Sequence, residues 1–428
     1  MSLLNDLSQR KLLHDVSHQA ELDASLSSRK VTFYCGFDPT ADSLHVGSLL
    51  PLLIMKRFMK DGHKGIALLG TATGAIGDPS GRSSERNLLK PQQIEENRQG
   101  IEKQIRHILA DDKNEITVVE NNSWVAKLSA IEFLRDVGKH FSVNAMIQKE
   151  SVKARLENRE QGISYTEFSY MLLQAYDYYW LYHNYGCRLQ IGGSDQWGNI
   201  TAGMDLIRRK SGEQAEKSYG LTFPLLLSSS GEKFGKTAAG AVWLSADKTS
   251  PYQFYQYWIN ISDEDAALLL PKLSSLDIVQ CSALCEEALA APEKRLLQTK
   301  IAAELTTLVH GPSELDAAIR ASQVFFGGSM DGLNHATLRD IFREVPSAEI
   351  PRSIFQPVAP LLDILTTCGA AKSRGEARRL IEGGGIYLNN QRINDVQHNV
   401  GIENFIDENI LVIRSGKKKY YLLQLANS

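Results

Sequence analysis

The segment from Val31 to Gly70, VTFYCGFDPTADSLHVGSLLPLLIMKRFMKDGHKGIALLG, decides the fold class. It begins with β-branched and aromatic residues over Val31–Gly36, which predict a buried strand, and Asp38–Asp42 is typical of a turn. Apolar residues at helical spacing predict a helix over residues 46–60, and a second strand is expected over residues 66–70. A strand, helix and strand in this order imply parallel pairing, with ligand sites at the carboxyl ends of the strands.

The rest of the chain divides by pattern into further regions. A third predicted strand, Cys187–Ile191, ends in a glycine-rich turn, so residues 1–222 are expected to form a doubly wound, parallel-sheet, Rossmann-like α/β domain. Residues 223–345 are expected to hold a mobile loop with two lysines and a helical domain. Prolines cluster over residues 346–358, which predicts an extended linker, and residues 359–428 are expected to form a small α+β domain.

Composition sets the class of protein and of partner. The 428 residues are 43% hydrophobic and 23% charged with a net charge of −3, so any nucleic-acid contact must come from local basic patches. The five cysteines form no CxxC pair and no zinc-ligand pattern, so we expect a reducing, cytoplasmic compartment and no bound structural metal. No apolar run approaches the roughly 18 residues of a membrane span, and we expect no membrane association.

A polar stripe interrupts an otherwise apolar helix. Tyr170, Gln174 and Asp177 are four and three residues apart, so their side chains point in one direction on a helix. Polar side chains on a buried helix need polar partners. The partners could belong to an internal hydrogen-bond network or to a ligand, and this stripe alone does not separate the two.

The junction between the first predicted strand and the following helix is suited to binding a phosphate group. There, backbone N–H groups and His45 could face an anion, and Gly47 would let a nucleotide approach closely. A lone histidine is more often a packed or surface residue, and Ser43 is a good helix cap with no further role.

Two further groups of cations could neutralise a leaving polyphosphate. Lys233 and Lys236 lie in a segment without periodicity, which predicts a surface loop that brings two cations to the site and withdraws them. Arg82 and Arg86 follow a turn and could serve in the same way. Most such loops and arginines are simply solvated.

Together these motifs resemble the class I aminoacyl-tRNA synthetases, specifically the bacterial-type tyrosyl-tRNA synthetases. His45–Ser48 stands at the HIGH signature and Lys233–Thr237 at the KMSKS signature, while Tyr34–Thr40 and Gly192–Asn199 resemble the pocket for tyrosine and adenylate. The resemblance covers nearly the whole chain. It implies a homodimeric tyrosine–tRNA ligase that forms tyrosyl-adenylate from L-tyrosine and ATP, then transfers tyrosine to the 3'-terminal adenosine of tRNA(Tyr). It also implies that the helical domain binds the anticodon.

The resemblance implies a role for each matching residue. The tyrosine contacts are Tyr34, Asp78, Tyr170, Gln174, Asp177 and Gln196. The ATP contacts are Cys35, Gly36, Asp38, Gly47, Ser48, Gly193, Asp195 and Lys236. The catalytic groups that stabilise the transition state are Thr40, His45, Lys233, Lys236, Arg82 and Arg86. Mg²⁺ is expected to accompany ATP rather than to occupy a site of its own on the protein.

Ser48 departs from the family pattern, which usually has histidine or asparagine there to contact the nucleotide ribose. A weakened contact of this kind would cost about 0.5–1.5 kcal/mol, so we expect a slower enzyme and not an inactive one.

The C-terminal module carries a local excess of basic residues. From residue 355 onward there are nine Lys and Arg against seven Asp and Glu. This module resembles the small RNA-binding module shared with a ribosomal small-subunit protein. The residues expected to bind RNA are Lys372, Arg374, Arg378, Arg379, Lys417, Lys418 and Lys419.

Two alternative functions stay open at this point. Ser48 and the basic tail fit a non-catalytic RNA-binding or splicing partner built on a synthetase scaffold, although such a protein has no need to retain the two loop lysines with Asp78 and Asp177. A synthetase for another amino acid would require a different group at Tyr34 or Asp177.

Overall fold

The computed structural model describes residues 1–80, 89–110, 115–149, 152–153, 156, 162–212, 215–229, 231, 234–237, 240–324, 327–330, 332–333, 335–343, 345–355, 357–416 and 419–426, with the backbone alone at 236, 237, 335 and 336. Its contacts divide the chain into two compact units. Unit 1 consists of Met1–Lys248 and Ile261–Ile301, and unit 2 consists of Thr249–Asn260 and Ala302–Ser428. Among the described helices, none combines the length and the apolarity that crossing a membrane requires.

In the described part of unit 1, five parallel strands form one sheet in the order β3-β2-β1-β4-β5. The strands are β1 Thr32–Phe37, β2 Lys64–Leu69, β3 Thr117–Glu120, β4 Cys187–Gly193 and β5 Tyr219–Phe223. The chain runs outward from β1 on one side and from β4 on the other, so the order reverses between these two strands. A crevice for a ligand therefore opens at their carboxyl ends, and the predicted doubly wound fold is confirmed.

Helices cover the sheet of unit 1. Their bounds are Leu3–Gln9, Gln19–Ser28, Leu49–Lys60, Thr71–Gly74, Pro91–Ile108, Asn122–Val125, Ala130–Glu132, Val143–Ile147, Tyr165–Tyr185, Trp197–Ser211, Asp263–Leu273 and Ile278–Ala290. Short 3₁₀ turns occupy Val46–Ser48, Gly138–His140, Ser194–Gln196 and Pro292–Lys294, a π-helical turn occupies Phe133–Val137, and two short strands are β6 Lys236–Thr237 and β7 Gly240–Ala241. The helix Leu296–His310 contains the boundary between the two units.

The helix Tyr165–Tyr185 carries the polar stripe and lies deep in unit 1. It begins at a Ser164 side chain that accepts from the backbone of Glu167 and ends at Gly186, which has a φ of 62°. Its residue Tyr178 is buried, and the Tyr178 hydroxyl lies 2.9 Å from the Arg188 carbonyl and 2.7 Å from that of Tyr219. These contacts fix the helix against β4 and β5.

Unit 2 combines helices with a second sheet. Its helices are Pro251–Ile259, Pro312–Gln323, His335–Ile341, Leu361–Thr367 and Arg374–Glu382. Its strands are β8 Ser347–Pro351, β9 Ala359–Pro360, β10 Ile386–Leu388, β11 Gln391–Ile393, β12 Asn399–Val400, β13 Ile410–Ser415 and β14 Lys419–Ala426, with 3₁₀ turns at Arg352–Phe355 and Ile402–Asn404. The main sheet has the order β11-β10-β13-β14-β8.

The stretch predicted as an extended linker, residues 346–358, differs from that prediction. Ser347–Pro351 is the edge strand β8 and pairs in parallel with β14, and the Pro346 carbonyl accepts a hydrogen bond from the backbone of Leu422. Phe355 is buried in the core of unit 2. Prolines are tolerated at the ends of an edge strand because one side of that strand needs no hydrogen-bond donors.

Candidate active site

A cavity of about 730 Å³ opens at the carboxyl ends of β1 and β4 in unit 1. It is lined by fifteen of the residues that the sequence assigned to tyrosine, ATP or catalysis: Tyr34, Cys35, Gly36, Asp38, Thr40, His45, Gly47, Ser48, Asp78, Tyr170, Gln174, Asp177, Gly193, Asp195 and Gln196. Residues separated by up to about 160 positions in the chain therefore meet at one place, which the doubly wound topology provides.

The remaining predicted residues lie elsewhere or outside the description. Arg82, Arg86 and Lys233 fall outside the described residues, and for Lys236 only the backbone is described, at the start of β6. Phe234 and Gly235, between the two lysines, do line the cavity. The predicted RNA-binding residues belong to unit 2, and Lys417 and Lys418 among them are outside the described residues.

One end of the cavity, which we term the buried end, is formed by the lining residues Tyr34 and Asp177 together with Asn121 and Trp124, which contact Asp177. The Asp177 carboxylate accepts a hydrogen bond of 3.0 Å from Asn121 Nδ2 and one of 2.8 Å from Trp124 Nε1. Asp177 and Tyr34 are each 1% exposed. The Tyr34 hydroxyl is buried without a hydrogen-bond partner among the described residues. A buried polar group in this state usually has a ligand or a water as its partner.

The electrostatics of the buried end favour a neutral hydrogen-bonding ligand group. Burial raises the pKa of Asp177 to about 7, and the hydrogen bonds from Asn121 and Trp124 oppose that rise. Burial and the nearby charge of Asp177 raise the pKa of Tyr34 well above its ordinary value. Tyr34 is therefore a neutral donor beside a carboxylate that is ionised above about pH 7.

A chain of hydrogen bonds extends from the buried end to the middle of the cavity. Asn121 Nδ2 donates to Thr73 Oγ1 at 3.1 Å, and the Thr73 hydroxyl donates to Asp38 at 2.7 Å. The other Asp38 oxygen accepts from the Tyr170 hydroxyl at 2.9 Å. Asp38 was predicted as an ATP contact, but these bonds join it to the polar stripe and to the buried end.

Gln196 and Asp78, which also line the cavity, belong to a second hydrogen-bond network. Gln196 Nε2 donates to Asp78 at 2.7 Å, and the other Asp78 oxygen accepts from the backbone of Ser80 at 2.8 Å. Asn199 Nδ2 lies 3.2 Å from the Gln196 side-chain oxygen. These bonds hold the Asp78 carboxylate in place at the lining of the cavity, to which the half-buried Gln174 also belongs.

The other end of the cavity, which we term the exposed end, consists of Gly36, Thr40, His45, Gly47 and Ser48. The Thr40 and His45 side chains are exposed, and His45 Nδ1 accepts from the backbone of Gly47 at 3.0 Å. A Cβ on Gly47 would lie 2.7 Å from the His45 ring, so a larger residue there would displace that ring. Burial raises the pKa of the adjoining Cys35 thiol to about 12, so that thiol stays protonated.

Two residues of the buried end, Asn121 and Trp124, were missed from the sequence, and so was Thr73, which joins the buried end to Asp38. Asn121 follows β3, and its backbone donates to the Leu69 carbonyl at 3.2 Å. The signal was a polar residue after a parallel strand, but β3 itself was not predicted because Thr117–Glu120 is only four residues long. From the sequence, Trp124 is indistinguishable from a core residue, and in the structure it does stack on Trp180.

Within the described residues, no group of three or more His, Cys, Asp or Glu side chains is arranged to hold a metal ion. The site thus offers carboxylates, hydroxyls, amides and backbone N–H groups that converge on one cavity. Such a set can grip an amphoteric small molecule at one end and a polyanion at the other.

Comparison with known proteins agrees with this geometry. Residues 26–327 match the family "tRNA synthetases class I (W and Y)", and residues 337–423 match the "Tyrosine--tRNA ligase SYY-like C-terminal domain". The chain is 48% identical over 428 residues to a tyrosine–tRNA ligase of Opitutus terrae, across 99% of this chain and 100% of that relative. It is 47% identical over 428 residues to that of Geobacillus stearothermophilus, across 100% of both chains.

A solved structure shows the same relation. A C-terminally truncated mitochondrial tyrosyl-tRNA synthetase of Aspergillus nidulans superposes with a TM-score of 0.67 at 31% identity, over 75% of this chain and 94% of that one. The resemblance drawn from the signature motifs is therefore confirmed at the level of the whole chain. From its family matches, its relatives and its fold, the chain belongs to the tyrosyl-tRNA synthetases of class I.

Proposed function

We propose that this chain joins L-tyrosine to tRNA(Tyr) in two steps, by way of tyrosyl-adenylate formed in the cavity of unit 1. The observation that carries the proposal is the pair at the buried end. The Tyr34 hydroxyl, which has no hydrogen-bond partner within the described part of the chain, lies beside the Asp177 carboxylate, and both residues are 1% exposed and line the cavity. A phenol is the side-chain group of an amino acid that satisfies both, because it can accept from Tyr34 and donate to Asp177.

Recognition of tyrosine follows from this pair. The ionised Asp177 accepts the phenolic proton while Asn121 and Trp124 hold the carboxylate in place. Phenylalanine would leave the Tyr34 hydroxyl and one acceptor position of Asp177 unpaired in a buried place, which costs about 1–3 kcal/mol for each group and more for a charged one. Rejection of phenylalanine thus needs no editing site.

The main chain of the substrate is proposed to lie in the middle of the cavity. We assign Asp78, Tyr170 and Gln174 to the α-ammonium group and the Gln196 amide to the carboxylate. Asp38 accepts from the Tyr170 hydroxyl and so orients it. We therefore assign Asp38 to the residues around the α-ammonium group rather than to the ATP contacts.

In the first step the tyrosine carboxylate attacks the α-phosphorus of ATP. A new oxygen–phosphorus bond forms, the bond from the α-phosphorus to the bridging oxygen breaks, and pyrophosphate leaves with the electron pair. The carboxylate is already ionised at neutral pH, so no general base is needed and catalysis consists of placement and charge stabilisation. We assign that stabilisation to Thr40, His45, Lys233 and Lys236, assisted by Arg82 and Arg86. Mg²⁺ enters as part of the substrate MgATP.

The nucleotide is proposed to lie along the exposed end. Cys35, Gly193 and Asp195 are the candidates for the ribose, and Gly36, Gly47 and Ser48 leave room for the nucleotide. In the second step a hydroxyl of the terminal adenosine of tRNA attacks the tyrosyl carbonyl. A new ester bond forms, the bond between the carbonyl and the phosphate oxygen breaks, and AMP leaves with the electron pair while the hydroxyl proton passes to its phosphate oxygen.

Exchange of labelled pyrophosphate into ATP by the purified protein tests the first step. We expect exchange that depends on tyrosine and is not supported by phenylalanine or tryptophan. Absence of exchange would favour the alternative of a non-catalytic RNA-binding or splicing partner, and exchange that depends on another amino acid would favour a different specificity. Attachment of tyrosine to tRNA then tests the second step.

For RNA binding we propose the exposed face of the helix Arg374–Glu382 in unit 2. Lys372, Arg378 and Arg379 are exposed, as is Lys419 on β14, whereas Arg374 is ion-paired with Asp363. Replacing Arg378 and Arg379 with alanine should weaken tRNA binding and lower the slope of log affinity against log salt by about 1–2. Pyrophosphate exchange should stay unchanged. An unaltered salt slope would contradict this assignment.

We also propose a cytoplasmic homodimer, in line with the family. All five cysteines are free thiols, which suits a reducing compartment where ATP and tRNA are available. The residues 130–147 present exposed apolar side chains, among them Ile131 at 71% exposure, that suit contact with a second copy. Sedimentation of the purified protein tests this, and a monomer at micromolar concentration would contradict it.

A further inference from the structure

The loop between β1 and the helix Leu49–Lys60, residues 38–48, carries Thr40 and His45 at the exposed end of the cavity. Both side chains are exposed, and the His45 ring accepts a hydrogen bond from the Gly47 backbone of the same loop and lies 6.4 Å from the ring of Trp243. Between them, Ser43 and Leu44 are buried. The position of the two catalytic candidates is therefore set by what holds the backbone of this loop.

One face of the helix Pro91–Ile108 contacts that loop. Asn97, Gly100 and Gln104 are three and four residues apart and lie on one side of the helix. Asn97, which is 2% exposed, donates from Nδ2 to the Pro39 carbonyl at 2.9 Å. The loop is thus tied to the helix immediately before Thr40.

Gln104 holds the loop at the other end. Its side-chain oxygen accepts from the backbone of Leu44 at 2.8 Å, and its Nε2 donates to Ser43 Oγ at 2.9 Å. The amide of Gln104 therefore uses both its acceptor and its donor on the two residues that directly precede His45.

Close contact between helix and loop leaves little freedom between these two ties. A Cβ on Gly100 would lie 2.1 Å from the Asp42 carbonyl oxygen, a distance that no side chain permits. The backbone of the helix thus touches the backbone of the loop at this point.

A second segment, Val242–Ser245, holds the loop from another side. The backbone of Val46 donates to the Val242 carbonyl at 2.9 Å, and the backbone of Leu244 donates to the Leu44 carbonyl at 2.8 Å. The backbone of Ser245 donates to Ser43 Oγ at 3.1 Å. The Ser43 hydroxyl therefore contacts both this segment and Gln104 of the helix. The loop is thereby clamped between a helix and an extended segment.

We propose that Gln104, with Asn97, is a positioning residue for adenylate formation, which acts on the reaction through the placement of Thr40 and His45. This rests on the proposed function of those two residues. A displacement of about 1 Å in a group that stabilises a transition state can cost on the order of a hundredfold in rate. Gln104 does not line the cavity, and its described hydrogen bonds are to Ser43 and Leu44 rather than to residues of the buried end.

The first experiment measures adenylate formation in single-turnover reactions of Gln104→Leu. We expect the rate constant to fall about ten- to a hundredfold while KM for tyrosine stays within about twofold of wild type. Gln104→Glu keeps an acceptor for the Leu44 backbone and should recover part of the rate. The matched control is Gln99→Leu on the same helix, whose exposed amide contacts only Glu95 among the hydrogen bonds described and which should react like wild type.

The second experiment separates positioning from general damage to the fold. In a double variant that carries Thr40→Ala and His45→Gly, the further change Gln104→Leu should lower the rate less than about threefold. The reason is that Gln104 acts through the two side chains that this double variant lacks. An equal factor in both backgrounds, or an unchanged rate for Gln104→Leu alone, would overturn the proposal. If the background itself reacts like wild type, the proposed roles of Thr40 and His45 fail first and the inference fails with them.

Discussion

The two ends of the cavity are built in different ways. At the buried end, Tyr34, Asp177, Asn121 and Trp124 are all at most 2% exposed, and side-chain hydrogen bonds fix the carboxylate before any substrate arrives. At the exposed end, glycines and exposed side chains on loops face the cavity, and His45 is placed by backbone contacts of its loop.

This difference corresponds to two tasks. A hydroxyl is recognised best by groups that are desolvated and already oriented, because a wrong ligand then leaves them unpaired. A leaving polyphosphate needs groups that meet it only as charge develops and that release it afterwards. We therefore expect changes at the buried end to alter tyrosine binding and specificity, and changes at the exposed end to alter ATP use and rate.

Asp177→Asn should produce the largest effect. The new amide removes an acceptor from the phenol and directs an NH₂ group at the donors of Asn121 or Trp124, so kcat/KM for tyrosine in pyrophosphate exchange should fall about 10²–10³-fold. Asp205→Asn, on the exposed side of the helix Trp197–Ser211, is the matched control and should stay near wild type. A loss below about threefold would remove Asp177 from the recognition of tyrosine.

Tyrosine affinity should depend on pH because burial raises the pKa of Asp177 to about 7. The carboxylate is ionised above that value and accepts the phenolic proton, whereas protonation below it removes the acceptor. The dissociation constant for tyrosine should thus rise roughly tenfold from pH 8 to pH 6, where about a tenth of the carboxylate is ionised. Asp177→Asn should show a flat profile, and a flat profile for wild type would contradict the assignment.

Tyr34→Phe tests one of two neighbouring buried tyrosines, Tyr34 and Tyr178, whose ring centroids are 5.4 Å apart. The change removes one hydrogen bond to the substrate, so kcat/KM for tyrosine should fall about two- to tenfold and preference over phenylalanine should fall similarly. Stability should be unchanged, because the Tyr34 hydroxyl has no partner among the described residues.

The control for that change is Tyr178→Phe. The Tyr178 hydroxyl contacts the carbonyls of Arg188 and Tyr219, so its loss should lower the unfolding temperature and leave specificity intact. If the two variants behaved alike, the distinction between a recognition tyrosine and a structural one would be lost.

Ser48→Asn should give the smallest effect, at the exposed end. Asparagine, which the family often has there, reaches further toward a ribose than serine does, so kcat/KM for ATP should rise severalfold and at most about tenfold. KM for tyrosine should not change. A change in tyrosine KM of the same size would show that the two ends are not independent.

The exposed end was easier to predict from the sequence than the buried end. His45, Gly47 and the residues after β1 are local signals, since a strand, a turn and a helix start lie within one short segment. Asp177 was found from helical spacing. Its partners Asn121 and Trp124 are 56 and 53 residues away, and nothing in their own neighbourhood reveals that they meet it.

The same limit applies in unit 2. The strand Ser347–Pro351 is bounded by prolines and looks like free chain, but it pairs with β14, more than seventy residues further on. Only the tertiary structure supplies the partner that makes it a strand. The local chemistry and the doubly wound sheet of unit 1 were therefore predictable, whereas the partner of a short, proline-bounded strand was not.

A crystal structure with L-tyrosine bound tests the central claim most directly. We predict that the phenolic oxygen lies within hydrogen-bond distance, about 2.6–3.2 Å, of both the Tyr34 hydroxyl and an Asp177 carboxylate oxygen. Asn121 and Trp124 should keep their contacts to Asp177 in that complex. A tyrosine bound with its ring at the exposed end, or with its hydroxyl in contact with neither residue, would contradict the account.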